Sequence, residues 1–257
     1  MTEEPPIGQP VTKRTTHDRT SLRQDLHNLG LREGDMVFAH SSFKSLGPVE
    51  GGAETVIDAL EDAVGEEGLV LMPSFNLAPA FALRHEVWDH SLTPSSVGWI
   101  TEVFRTLPGT HRSDHYSHSV AARGVGAEEL VADHLNRDGP PSPWDRAPWG
   151  KTYGTQSPMY RAYEANGKLL MLGVGYDSST YIHLVEVMYW QQLRDSDPEA
   201  KNVILDRDKV GAFWDREGEI SVACVGDARC RLFSIAEYVD TIFREVALDP
   251  GHYRRGN

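Results

Sequence analysis

The sequence is poor in the features that would fix its class at once. Its 257 residues contain two cysteines, Cys224 and Cys230. That is too few for a disulfide framework and points to a reducing compartment. No apolar run approaches the roughly 20 residues that cross a bilayer. The polar start, MTEEPPIGQPVTKRTT, lacks the apolar stretch of a secretory signal. A cytoplasmic protein is expected, with residues 1–17 as a flexible lead-in to a single domain over 18–257. Lys and Arg form no dense cluster, so neither nucleic acid nor membrane is an expected partner. The net charge of −13 suits solubility and would attract a cationic small molecule. Charge alone does not choose between these.

Familiar signatures are also missing. Gly150-Lys151-Thr152 ends like a P-loop, but the glycine required five positions before Gly150 is Asp145. Gly173-Val174-Gly175 begins like a dinucleotide fingerprint, yet its sixth position is Ser178. No G-x-S-x-G elbow occurs, which weighs against an α/β-hydrolase. His111, His115 and His118, with Asp114 nearby, lie in a polar stretch with no H-E-x-x-H pattern and no cysteine partner. No metal site is expected there.

What is present is an alternation of helix and strand signals. Leu22, Leu26 and Leu29 mark a first helix closed by Gly30. Strands are expected at Met36–His40, Leu69–Met72, Ser119–Ala122, Leu169–Leu172 and Ile220–Val225. Helices are expected at Ala53–Val64, Val97–Leu107, Ala127–Leu135, Thr180–Leu193 and Ser234–Ala247. Asp138–Ser157, rich in proline, glycine and tryptophan, reads as a long loop of the kind that is functional or a lid. This order predicts a layered α/β/α sandwich around a mixed, largely parallel sheet. Ligands of such sheets bind beyond the carboxyl ends of the strands. The loops after Met36–His40, Leu69–Met72 and Leu169–Leu172 are therefore the places to look.

Two constellations carry chemistry. The segment TYIHLVEVMYW is apolar almost all round, so it is expected to be buried, yet it holds His183 and Glu186 on one face. A carboxylate beside an imidazole orients it and stabilises its protonated form, as a general base requires. A buried pair that merely satisfies itself explains the spacing equally well. The loop Ser41–Gly52 supplies Ser41, Ser42 and Ser45 as donors ahead of a helix N-terminus, which favours an anion such as a phosphate-bearing cofactor. An ordinary βα connection is the simpler reading of that loop.

A family resemblance sharpens both readings. His40-Ser41-Ser42-Phe43-Lys44-Ser45-Leu46-Gly47, with Gly51-Gly52-Ala53-Glu54-Thr55 after it, resembles the N-terminal signature of the aminoglycoside 3-N-acetyltransferases. Arg112-Ser113-Asp114-His115 with Ser119-Val120-Ala121-Ala122 is similar to the family's middle motif. Leu170–Thr180, running into His183-Leu184-Val185-Glu186, is similar to its third. The resemblance covers roughly residues 18–248, with these motifs in one order.

The resemblance implies an α/β sandwich unrelated to the common acetyltransferase superfamily. It also implies an enzyme that transfers acetyl from acetyl-CoA to an amine. It makes His183 the base, with Glu186 holding it and Ser74 or backbone N–H groups stabilising the oxyanion. It assigns CoA to His40, Ser41, Ser42, Ser45, Leu46, Val49, Arg112 and Ser119. For a cationic acceptor, Asp89, Asp145 and Asp177 are the candidate carboxylates, with Trp88, Trp144 and Trp149 as stacking surfaces. Acetyl-CoA and a small amine are the expected partners, and a homodimer is the candidate assembly. The chain departs from the family at Tyr116, where proline is usual, at Ser74, at the bulky Tyr181 and Ile182, and in the insert Trp144–Trp149. A related acyltransferase with a different acceptor, a thioester hydrolase and a CoA-binding protein are the alternatives.

Overall fold

A computed structural model describes residues 15–256. The expected lead-in lies outside the described residues up to position 14. At its end, the His17 N–H donates to the Pro48 carbonyl at 2.8 Å, and the Glu50 N–H donates to the His17 carbonyl at 2.9 Å.

The strands are β1 (Met36–Ser41), β2 (Leu69–Pro73), β3 (His111–Arg112), β4 (Val120–Gly124), β5 (Lys168–Leu172), β6 (Ser221–Val225) and β7 (Ala228–Ser234). They form one sheet in the order β3-β4-β2-β1-β5-β7-β6. β1 pairs in parallel with β2 and β5. The remaining pairings are all antiparallel. The sheet is mixed, as expected: the three central strands pair in parallel, and β3 and β6 run in the same direction beyond the reversed strands β4 and β7. Each flank is a hairpin, β3–β4 on one side and β6–β7 on the other. β6 and β7, for example, are joined by Gly226 and Asp227 alone.

The helices are α1 (Arg19–Leu29), α2 (Ala53–Val64), α3 (Trp99–Thr106), α4 (Ala127–Val131), α5 (Pro158–Glu164), α6 (Tyr181–Ser196), α7 (Arg207–Glu217), α8 (Ile235–Leu248) and α9 (Pro250–Tyr253). Side chains of a strand alternate between faces, so each central strand feeds two cores. Val37, Ala39, Val70, Met72, Leu170 and Leu172 pack with α1, α2 and α3. Phe38, Leu69, Leu71, Leu169 and Met171 pack with α4 to α9. The result is the expected α/β/α sandwich. Helix α6 lies in the second core, with Tyr181, Ile182, Leu184, Val185, Glu186 and Val187 all buried.

Cys230 is buried and Cys224 is exposed. Ala223, not Cys224, stands opposite Cys230, so the two thiols point to opposite faces of the sheet. Among the described residues, no helix is long and apolar enough to cross a membrane.

Candidate active site

A cavity of about 200 Å³ opens at the carboxyl ends of the three parallel strands. His40 and Ser41 end β1, Pro73 ends β2, and Asp177, Ser178, Ser179 and Thr180 follow β5. From β1 the sheet continues to β2 on one side and to β5 on the other, which is the kind of junction where α/β sheets bind ligands. All three loops singled out from the sequence meet here.

Helix α6 begins at the rim of this cavity, and its third residue is His183. His183 Nδ1 lies 2.6 Å from Glu186 Oε2, and Glu186 Oε1 accepts the Leu205 N–H at 2.8 Å. Arg207 Nη2 donates to His183 Nε2 at 2.7 Å. A guanidinium can only donate, so Nε2 carries the lone pair and Nδ1 the hydrogen. Glu186 thus fixes one tautomer of the imidazole. The edge of Trp144 closes one side of the ring, with centroids 4.7 Å apart. The loop Asp138–Ser157 therefore reaches the site, as its composition predicts.

Two further imidazoles line the cavity. His40 Nε2 accepts the Thr180 N–H at 3.2 Å. Burial, aided by the Arg207 cation, pushes its pKa down to about 3, so it is neutral. Burial likewise holds His118 well below the usual imidazole value, with the neighbouring His183 adding to the effect. Its ring sits 4.9 Å from Phe75 and 5.3 Å from Trp144.

Of the residues expected to hold CoA, His40 and Ser41 line the cavity, and the buried Ser41 hydroxyl has no partner among the described residues. Ser42 and Ser45 stand beside it. Ser45 Oγ is 2.8 Å from Ser42 Oγ and 3.0 Å from the Gly173 carbonyl. Leu46 is fully buried and Val49 packs against the core under α1 and α2, and neither lines the cavity. Arg112 is absorbed into the fold. It donates to Ser119 Oγ and to the carbonyls of Ser74, His90 and Thr93, and it stacks on Trp88 at 4.6 Å. The cation that Trp88 takes is the protein's own.

Asp177 and Trp144 stand at the site, but the other expected acceptor groups do not. Asp89 caps the N–H groups of Ser91 and Leu92. Asp145 binds Ser142 and Thr152 and pairs with Lys151. The indoles of Trp88 and Trp149 both donate to Asp114. Pro73 and Phe75 line the cavity, while Ser74 between them is fully buried, its hydroxyl without a partner among the described residues.

His115 stacks on His134 with centroids 4.7 Å apart, and His111 lies on β3. Among the described residues no cluster of His, Cys, Asp and Glu has a metal-holding arrangement. Sequence reasoning missed Arg207 and His118. His118 was visible only as part of a discarded triplet, and nothing in the pattern around Arg207 marks it.

Comparison with known proteins agrees with this geometry. The family profile described as Aminoglycoside 3-N-acetyltransferase matches residues 38–246. A Bacillus subtilis (strain 168) protein named SPbeta prophage-derived aminoglycoside N(3')-acetyltransferase-like protein YokD is 32% identical over 266 residues, spanning 90% of this chain and 93% of its own. Among solved structures, AAC-IIIb in binary complex with CoASH is 25% identical with a TM-score of 0.74, covering 95% of this chain and 100% of that one. AAC-VIa bound to sisomicin is 26% identical with a TM-score of 0.70, covering 91% and 98%. The chain belongs to the aminoglycoside 3-N-acetyltransferase family.

Proposed function

We propose that this protein transfers the acetyl group of acetyl-CoA to an amine of an aminoglycoside or a similar small polyamine, directly and with His183 as general base. The observation that carries the reading is the tautomer of His183. Glu186 holds Nδ1–H, which leaves the Nε2 lone pair as the base, taken in this structure by the Arg207 guanidinium. The fold relatives crystallised with CoASH and with sisomicin support the donor and the class of acceptor. The donor fits the residues present. The unpartnered Ser41 hydroxyl and the polar run Ser178–Thr180 are the groups that would hold acetyl-CoA by hydrogen bonds.

In this mechanism His183 Nε2 takes the proton that the amine must give up as its nitrogen bonds to the thioester carbonyl carbon. Glu186 stabilises the imidazolium that results. The Tyr181 and Ile182 N–H groups at the start of α6 stabilise the oxyanion, since the Thr180 and His183 N–H groups are taken by His40 and by the Thr180 carbonyl. The carbon–sulfur bond then breaks, and His183 returns its proton to the departing sulfur. No side chain of the protein forms a bond to the acetyl group.

A panel of amines with acetyl-CoA, read by thiol release, tests the activity. His183→Ala should lower turnover by about 10²–10⁴-fold, the range for a lost general base. Near-normal turnover in that variant would sink the assignment. The cavity size favours one second reading. At about 200 Å³ it is small beside the several hundred Å³ of ordinary ligand pockets. A smaller, non-aminoglycoside amine in a biosynthetic step is then the acceptor, and the same panel distinguishes the two.

A further inference from the structure

We propose that Arg207 is a resident stand-in for the acceptor amine and selects for polycationic acceptors. The proposal rests on the reading of His183 as a base toward an amine. Arg207 Nη2 lies 2.7 Å from His183 Nε2, and its Nη1 donates to the Asp177 carbonyl. An imidazole with hydrogen on Nδ1 has a single lone pair, on Nε2. While Arg207 is in place, the group that would accept the amine's proton is occupied. A cation offering N–H donors at hydrogen-bond distance from Nε2 is also what a protonated acceptor amine presents. The acceptor therefore has to take the place that Arg207 holds.

The position of Arg207 suits displacement. It is the first residue of α7, and it lines both the His183 cavity and a second, outer hollow of about 400 Å³. Asp177 lines both as well, so the two residues form the partition between the hollows. Arg207 is held by a ring nitrogen and a carbonyl, not by a carboxylate. Neutral acceptors bind a guanidinium less strongly than a carboxylate does. Asp206 and Asp208 stand on the outer side, lining the second hollow with Asp177 and with Arg255, so three carboxylates face one remaining cation once the Arg207 guanidinium leaves. A polyamine entering there gains opposite charge for its remaining ammonium groups while one of them replaces the guanidinium. A monoamine displaces the same cation with no such return, so Arg207 weighs against it.

The first test needs no turnover. Diethyl pyrocarbonate acylates an uncovered imidazole nitrogen, so the carbethoxylation rate of the His183 peptide, read by mass spectrometry, reports whether Nε2 is free. Arg207→Ala should raise that rate by about tenfold or more, the scale of one charge-assisted hydrogen bond, while Arg207→Lys stays near wild type. Equal rates in wild type and Arg207→Ala overturn the proposal. Should Arg207→Ala not fold, Arg207→Gln, which removes the charge and keeps most of the bulk, makes the same comparison.

The second test uses thiol release with sisomicin and with the monoamine glucosamine. Arg207→Ala should lower KM for sisomicin and shrink the kcat/KM preference for sisomicin over glucosamine by about tenfold. An unchanged preference, or a loss of kcat/KM toward both, overturns the proposal. If no variant releases thiol with any amine, the transferase reading fails, and the carbethoxylation rates still decide whether Arg207 covers His183.

Discussion

Glu186 does two jobs with one buried carboxylate. It orients His183 and ties down the Leu205 backbone, joining α6 to the chain that leads into α7. Glu186→Gln keeps the shape but sets an amide where Nδ1–H needs an acceptor. The imidazole is then free to adopt the other tautomer, which turns its hydrogen toward the amine. Turnover should fall by about 10²–10³-fold with little change in melting temperature. Kinetics and a thermal melt on the same preparation check this, and an unaltered rate would remove Glu186 from the mechanism. The pair was legible in the sequence because two polar residues in an apolar helix are costly unless something answers them. Arg207 was not legible. A lone arginine at the start of a charged helix carries no pattern, and only the fold brings it to a histidine that lies 24 residues away.

At the scale of elements, the strands that build the site were readable and the flanks were less so. β1, β2 and β5 are buried on both faces, so each reads as a continuous apolar run. β7 alternates Arg229 and Arg231 with Cys230 and Leu232, and Gly226-Asp227 before it is a hairpin signal. Both cues are in the sequence, yet the expected strands end with Ile220–Val225, because the charged residues of β7 break up its apolar run. α7 was missed for a different reason. Its sequence RDKVGAFWDRE has a glycine in the middle and little apolar periodicity, so tertiary packing makes it a helix.

One glycine couples these elements to the Ser42–Leu46 loop. Gly173 has φ of 68° where β5 ends, and a Cβ there would meet Ser45 Cβ at 2.7 Å. Gly173→Ala would strain the backbone and push the Ser42–Ser45 turn away from the cavity. Stability should drop by about 1–3 kcal/mol. KM for acetyl-CoA should rise more than KM for the amine. Denaturant unfolding and a two-substrate kinetic analysis measure the two effects, and equal changes in both KM values would contradict the coupling.

The whole molecule buries a set of uncharged imidazoles. Burial lowers His40 to about 3 and His134 to about 4, from an ordinary 6.5, and holds His115 and His118 well below it. Below about pH 6.5 the unfolded chain takes up protons at these sites and the folded chain does not. Stability is therefore fully present above that pH and is lost as pH falls toward the folded values. Each such histidine contributes a slope of about 1.4 kcal/mol per pH unit. The melting temperature should fall steeply between pH 7 and pH 5, before most carboxylates titrate. A flat profile over that range would mean that these rings accept protons without unfolding. The three-layer architecture itself was legible from the alternation of elements. The antiparallel flanks were not, because strand direction follows from connections and not from the composition of a strand. Those flanks also place Cys224 on the outermost strand, facing solvent, with its neighbour sulfur sealed on the opposite face. The molecule thus offers a maleimide a single exposed thiol on the edge of the sheet, so a dye or surface tether could be added there at defined stoichiometry.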